Sequence, residues 1–336
     1  MTLSRGSIVM ARVHSTLYWT NQMPALTLGR KASQENISHD ERTRLDEPVP
    51  SRYELKVGDI DVLVISDGVL TLPGEMLGHN VDPVVRAACL DEMFLPPDYF
   101  EWALNVVLVR SGSQTILIDA GLGSDPNLNL PKAGRTIERL EAAGIDLASV
   151  TDVVLTHLHM DHIGGLLVAG IKERLRPHLR IHLAAAEAEF WESPDFSHTS
   201  MPAGFPDALR SAARRFLHEY RSNLHQFENE YDVAPGVTVQ RTGGHTPGHS
   251  VVRLASKGAR LTFAGDAVFQ VGFEHPDWFN GFEHDPEEAA RVRVKLLREL
   301  AAKREPLVAT HLSFPSVCHV AVDGDAFRWV PGPWEY

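Results

Sequence analysis

Cysteine is scarce in this chain: Cys89 and Cys318 are the only two among 336 residues. That excludes a disulfide framework and a cysteine-based zinc finger. Long apolar runs are missing as well. Stretches such as Val153–Leu155 and Ile163–Gly170 fall far short of the ~20 residues a membrane-spanning helix needs. Positive charge is in deficit: 32 Lys+Arg stand against 44 Asp+Glu, a formal net charge of −12. No run of Lys/Arg builds a basic face, so nucleic acid is not an expected partner. The N-terminus does not read as a secretory signal, because Arg12 and His14 interrupt it before an apolar segment forms. A cytoplasmic protein without membrane association is the expectation. Hydrophobic residues at 43% supply a sizeable core, and the compositional excess is histidine, with 17.

Residues 1–50 differ from the rest. Short apolar patches (Ile8–Met10, Leu17–Trp19) mix with an aperiodic polar stretch, Ser33–Glu47, before Pro48 and Pro50 punctuate the boundary. This reads as an N-terminal extension, flexible or a dimer arm, ahead of a catalytic domain over residues 51–336. In that domain Tyr53–Val57 and Ile60–Ile65 read as strands joined at Gly58-Asp59. Leu104–Arg110 and Thr115–Ile118 flank a second hairpin turn, and Asp119–Gly123 closes that unit. Further strands are expected at Asp152–Thr156, Arg180–Leu183, Val237–Thr242, Val251–Ala255, Arg260–Ala264 and Leu307–Thr310. His319–Val322 and Phe327–Val330 read as a closing hairpin. Helices are expected over Arg135–Ala143, from Asp207 to about His225, and from Asp285 to about Arg304. A β-rich opening thus gives way to αβ alternation, and the pattern then recurs without a residue-level repeat.

The chemistry concentrates in Thr156-His157-Leu158-His159-Met160-Asp161-His162-Ile163-Gly164-Gly165, directly after a predicted buried strand. Four metal-competent side chains fall within six residues, and imidazole with carboxylate suits zinc and its first-row neighbours. In an extended segment His157 and His159 point the same way. Asp161 and His162 follow where the chain turns into a helix, free to face a second ion. His245 lies in a Gly-rich turn after Val237–Thr242, Asp266 follows Arg260–Ala264, and His311 follows Leu307–Thr310. Each stands just past a strand end, where α/β proteins place their sites. A carboxylate such as Asp266 is able to bridge two cations, and paired ions are a hydrolytic arrangement.

This ordered set resembles the metallo-β-lactamase superfamily over roughly Tyr53 to Tyr336. The resemblance implies a four-layer αβ/βα sandwich of two mixed sheets with outer helices. It also implies two divalent ions, zinc foremost with manganese, iron or cobalt as substitutes. His157, His159 and His245 would hold one, Asp161, His162 and His311 the other, with Asp266 between them. The segments Phe190-Trp191, Gly244–His249, His311–Pro315 and Phe327–Pro331 resemble the branch of methyl parathion hydrolase and related lactonases. In that branch an aromatic at the Trp191 position lines the pocket, so Trp191, Phe190 and Phe196 are the expected substrate contacts. They fall in what reads as a Pro/Gly-punctuated loop ending at Phe205-Pro206. Tyr99, Phe100 and Trp102 form a second aromatic group, and Trp278, Phe279 and Phe282 a third.

The expected function is metal-dependent hydrolysis of a small hydrophobic ester by a hydroxide shared between the ions. A lactone such as an acyl-homoserine lactone, or an aryl ester, comes first, and a phosphotriester after them. Asp161 is the expected catalytic residue, orienting that hydroxide and returning a proton to the leaving group. His249 and His319 are expected to support the ligands; Cys318 reads as a small buried residue. His178, His182, His198, His218, His225, His275 and His284 lack site spacing and read as surface or satisfied histidines. The competing readings are a nucleic-acid phosphodiesterase, a single-iron dioxygenase of the same superfamily, and a non-catalytic metal-bound regulator. A homodimer is a reasonable expectation from the N-terminal extension.

Overall fold

The structure is a computed structural model and describes residues 50–124, 130 and 132–334. The expected N-terminal extension lies outside the described residues. Among the described residues, fourteen strands form two seven-stranded sheets, the first from residues 52–227 and the second from residues 230–331. The first holds β1 (Arg52–Val57), β2 (Ile60–Pro73), β3 (Tyr99–Ser111), β4 (Gln114–Ile118), β5 (Asp152–Val154), β6 (Arg180–Ala184) and β7 (Leu224–Phe227), in that spatial order. The second holds β8 (Glu230–Ala234), β9 (Val237–Arg241), β10 (Ser250–Ser256), β11 (Ala259–Phe263), β12 (Leu307–Val308), β13 (Cys318–Asp323) and β14 (Ala326–Pro331). Both sheets are mixed. Antiparallel hairpins run from β1 to β4, then β4 to β7 pair in parallel. In the second sheet β11 and β12 are the parallel pair.

Alternation along the strands explains the layering. Val62, Val64, Val107, Val109, Ile116 and Ile118 face the second sheet, where they meet Val237, Val239, Val252, Leu254, Leu261 and Phe263. Their sequence neighbours Ile65, Val106, Leu108 and Leu117 face outward. They pack under helices α2 (Thr136–Ala142), through Leu140, and α6 (Phe205–Glu219), through Leu209, Ala213 and Phe216. The outer face of the second sheet is covered by α8 (Pro286–Lys303), through Leu296, Leu297 and Leu300. With both faces covered, the strands read as near-continuous apolar runs. The remaining helices are α1 (Pro83–Glu92), α3 (Met160–Ile163), α4 (Ile171–Arg174), α5 (Ala185–Glu192) and α7 (Val271–Glu274). The result is the αβ/βα sandwich expected.

Three local readings change. Strand β2 runs eight residues past Ile65, because a bulge between Ser66 and Gly68 carries the chain over Asp67-Gly68 instead of turning it. The helix expected to reach about His225 stops at Glu219; Leu224 belongs to β7 and pairs with Ile181. Phe190 and Trp191 lie on helix α5, not in a loop.

A candidate metal centre at the strand ends

Strand β5 is short; the chain bends at Thr156, and His159, the residue just before α3, is extended. That geometry sorts the side chains: Leu158 is fully buried in the helix-covered core, while His157 and His159 turn the other way. Asp161 and His162 sit on α3, whose approach to the 119–123 loop demands glycine. A Cβ on Gly164 would lie 1.7 Å from the Leu122 carbonyl oxygen, and one on Gly165 would lie 2.0 Å from that of Ala120. His245 comes from the β9–β10 turn, Asp266 from the turn after β11, and His311 from the segment after β12.

The seven side chains meet in two groups. Ligand atoms of His157, His159, His245 and Asp266 lie within 4.8 Å of one another, as do those of Asp161, His162 and His311. Asp266 stands between the groups. Its Oδ1 is 3.2 Å from His162 Nε2, and its Oδ2 is 3.3 Å from His245 Nε2 and 2.9 Å from His311 Nε2. Asp161 Oδ2 lies 3.5 Å from His162 Nε2 and 3.6 Å from His311 Nε2.

The donor set fits divalent cations. His157 Nε2, His162 Nε2 and Asp266 Oδ1 are buried and have no hydrogen-bond partner. Such orphaned atoms are costly unless something else satisfies them. Burial, then the neighbouring imidazoles, hold His157 and His159 well below the ordinary histidine pKa, which leaves neutral rings able to ligate a cation. His245 is held low by burial despite Asp266. Burial opposes charge on His162 and His311 too, yet the Asp266 carboxylate, helped by Asp161, outweighs it and raises both. Burial also opposes charge on Asp266, but His311, His162 and His245 keep it a carboxylate. The local field thus favours positive charge, and a metal ion and a proton compete for these atoms.

The supporting residues are tightly wired. Asp119 Oδ2 accepts from His162 Nδ1 at 2.7 Å and from the Thr156 hydroxyl, while Oδ1 accepts from the Thr156 amide. This turns the other nitrogen of His162 toward Asp266. His249 Nε2 accepts from the Asp266 amide at 3.1 Å, so it anchors the loop that carries the carboxylate. Glu187, on α5, accepts from the Leu158 amide, the Trp191 indole, the Thr246 hydroxyl and the Gly248 amide. It fastens the two histidine loops to each other. Gly248 lets it do so, since a Cβ there would lie 2.3 Å from the Glu187 amide nitrogen.

Sequence reasoning missed Asp119, Glu187 and His284. An Asp-x-Gly after a strand was a signal for Asp119. A buried Glu on a helix and an isolated His carry none. His284, grouped with the surface or satisfied histidines, is buried, with Nε2 3.2 Å from His159 Nε2. His319 is displaced in the other sense. It is exposed on β13, pairing with Val330, while its neighbours Cys318 and Val320 turn inward. Burial pushes the Cys318 thiol up to about 12, which leaves an inert protonated side chain.

Beside the two groups lies a small cavity. Its polar wall is His159, Asp161, Asp266 and His311; the rest is Leu70, Leu72, Trp102, Met160, Phe205, Leu209 and Phe282. Trp102, Phe205 and Phe282 come from the three aromatic groups noted in the sequence. Trp191, Phe190 and Phe196 pack one layer back, around His284, and do not line this cavity.

Residues 100–311 match the profile of the Metallo-beta-lactamase superfamily. The chain belongs to that superfamily. Among its relatives, a Bacillus sp protein named N-acyl homoserine lactonase is 25% identical over 231 residues, covering 63% of this chain and 82% of its own length. A Bacillus cereus protein of the same name is 27% identical over 183 residues, covering 52% of this chain and 60% of its own. Ribonuclease Z of Mycobacterium bovis (strain BCG / Pasteur 1173P2) is 27% identical over 179 residues, 48% of this chain and 55% of its own. Among solved structures, AidC, described as a dizinc quorum-quenching lactonase in complex with a product, superposes with TM-score 0.78 at 24% identity, over 85% of this chain and 99% of that one. The hydrolase AbOPH superposes with TM-score 0.75 at 24% identity, over 86% and 100%. At that identity the structural likeness speaks for the metallo-β-lactamase fold alone.

Proposed function

We propose that the chain is a metal-dependent hydrolase of a small hydrophobic ester, with a lactone bearing an apolar acyl chain as the foremost substrate class. One observation carries this reading: an apolar cavity with a His/Asp wall. An alkyl chain matches its Leu, Phe, Trp and Met lining, and an ester carbonyl at the His/Asp end would lie beside the candidate ligands. The lactonase names among the relatives agree with it.

In the proposed assignment His157, His159 and His245 would hold one divalent ion, zinc foremost, and Asp161, His162 and His311 a second, with Asp266 available to both. Bound there, such ions supply a Lewis acid for the carbonyl oxygen and lower the pKa of water toward neutrality. The chain's own residues do the rest. Asp161, with 14% of its side chain exposed, is the more open of the two carboxylates that line the cavity. It is placed to orient a water and to return a proton to the departing oxygen. The apolar wall excludes bulk water and aligns the acyl chain. Among the described residues no lysine or arginine lines the cavity, which disfavours the phosphodiesterase alternative raised by the ribonuclease Z relative.

The test is turnover of acyl-homoserine lactones of graded chain length, p-nitrophenyl acetate, a methyl phosphotriester and a precursor tRNA, with metal content measured in parallel. Lactone hydrolysis that is lost on chelation and restored by zinc supports the proposal. A metal-loaded protein that cleaves the RNA and leaves every ester untouched overturns it.

A further inference from the structure

We infer that His284 is a positioning residue that sets the tautomer of His159 and so makes His159 Nδ1 the atom that ligates metal. The inference rests on the metal-centre reading above and concerns a side chain outside the seven proposed ligands. Its basis is the direction of two hydrogen bonds and the placement of one further nitrogen. The Asp195 backbone carbonyl lies 2.9 Å from His284 Nδ1, and a carbonyl only accepts, so the hydrogen is on Nδ1. That leaves the lone pair of the neutral ring on Nε2, which faces His159 Nε2 at 3.2 Å. The hydrogen between those two nitrogens therefore belongs to His159. With Nε2–H donated to His284, the free lone pair of His159 is on Nδ1, 3.1 Å from His245 Nε2 and turned into the ligand group.

The surroundings hold His284 in this role. Its ring is enclosed by Phe190, Trp191 and Phe196, with centroids 4.8, 6.0 and 5.1 Å away. Its backbone amide donates to the His245 carbonyl at 2.8 Å. The residue thus grips one proposed ligand by its side chain and another by its main chain. The three aromatics assigned to substrate from the sequence acquire a different use, as the walls that fix this ring. A hydrogen-bonded partner that fixes the tautomer of a ligating histidine raises its affinity for metal.

The experiment compares His284→Leu, which keeps apolar bulk and removes the acceptor, with His284→Gln, whose side-chain oxygen is able to accept from His159. Zinc affinity and stoichiometry are read by competition with a chromophoric chelator, and melting temperature is read on the zinc-free proteins. His284→Leu is expected to weaken zinc binding at one site about 10- to 100-fold. His284→Gln should recover most of that loss at an equal melting temperature. The tautomer is read directly in the unsubstituted, zinc-free chain by long-range ¹H–¹⁵N correlation of histidine, which should show the His159 hydrogen on Nε2. A hydrogen on Nδ1, or zinc affinity in His284→Leu equal to the parent, overturns the inference. An unsubstituted chain that takes up no zinc overturns the metal centre and the inference with it. Two bound ions with His284→Leu unaffected overturns the inference alone.

Discussion

Asp266 is the residue on which both halves of the site depend. It touches His162 through one oxygen and His245 and His311 through the other. Asp266→Ala should therefore cost on the order of 10³-fold or more in hydrolytic turnover and reduce the bound metal, since it leaves the two groups without their shared carboxylate. The fold should survive, because the cores lie between the sheets and under the helices. Retained far-UV circular dichroism with lost turnover is the expected pair of results; full turnover would refute the two-ion assignment. The seven ligand candidates were legible in the sequence because His-x-His-x-Asp-His is compact and the other three sit directly after strands. Glu187 was not, because its partners are amides, a hydroxyl and an indole brought near by folding, and Asp119 was marked only by its Asp-x-Gly turn.

At the scale of elements, two predictions concern how strands and loops are tied. Glu187 joins α5 to the His157–His159 loop and to the turn after His245. Burial raises its pKa, while the Thr246, Leu158, Trp191 and Gly248 donors pull the other way. Glu187→Ala leaves four buried donors unmatched and should cost about 3–4 kcal/mol by urea unfolding. Zinc affinity should fall with it, because both loops are released.

Asp152 on β5 accepts from His182 and Arg180 on β6 and from Gln114 on β4. Burial opposes its charge, but those bonds outweigh it and hold its pKa well below the ordinary 3.8. The folded state then releases this proton more readily than the unfolded state. The stabilisation is complete above the ordinary carboxylate range and is lost as pH falls below it. Thermal melts of Asp152→Asn should accordingly be flatter between about pH 5 and pH 3 than those of the parent. A parallel shift of the two curves would contradict this.

For the whole molecule, the packed cores lie apart from the proposed metal centre, so the scaffold is expected to close without it. Residues 52–227 supply one sheet and residues 230–331 the other, and valine-rich faces meet between them. Chelation should leave secondary structure intact at 25 °C and lower the melting temperature by on the order of 10 °C, because ions bind only the folded state. Collapse of the circular dichroism spectrum on chelation would show instead that metal is part of the folding core.

Most strands and the positions of the seven ligand candidates were readable in the local sequence, and the αβ/βα architecture followed from the family resemblance those residues carry. Apolar periodicity, turn chemistry and ligand spacing act over a few residues, so they can be read without knowing where the chain goes next. The rest needed contacts between distant segments. Strand β2 continues past Asp67 because Leu122, Gly134 and Thr136 donate to that carboxylate. Leu224 joins β7 because Ile181 waits beside it. His284 reaches His159, 125 positions away, because its backbone pairs with His245. The aromatics that line the cavity were decided in the same way: Trp102, Phe205 and Phe282 converge from β3, α6 and the loop before α8. Burial and hydrogen-bond satisfaction act through space, and one dimension of sequence does not record which residues will share it.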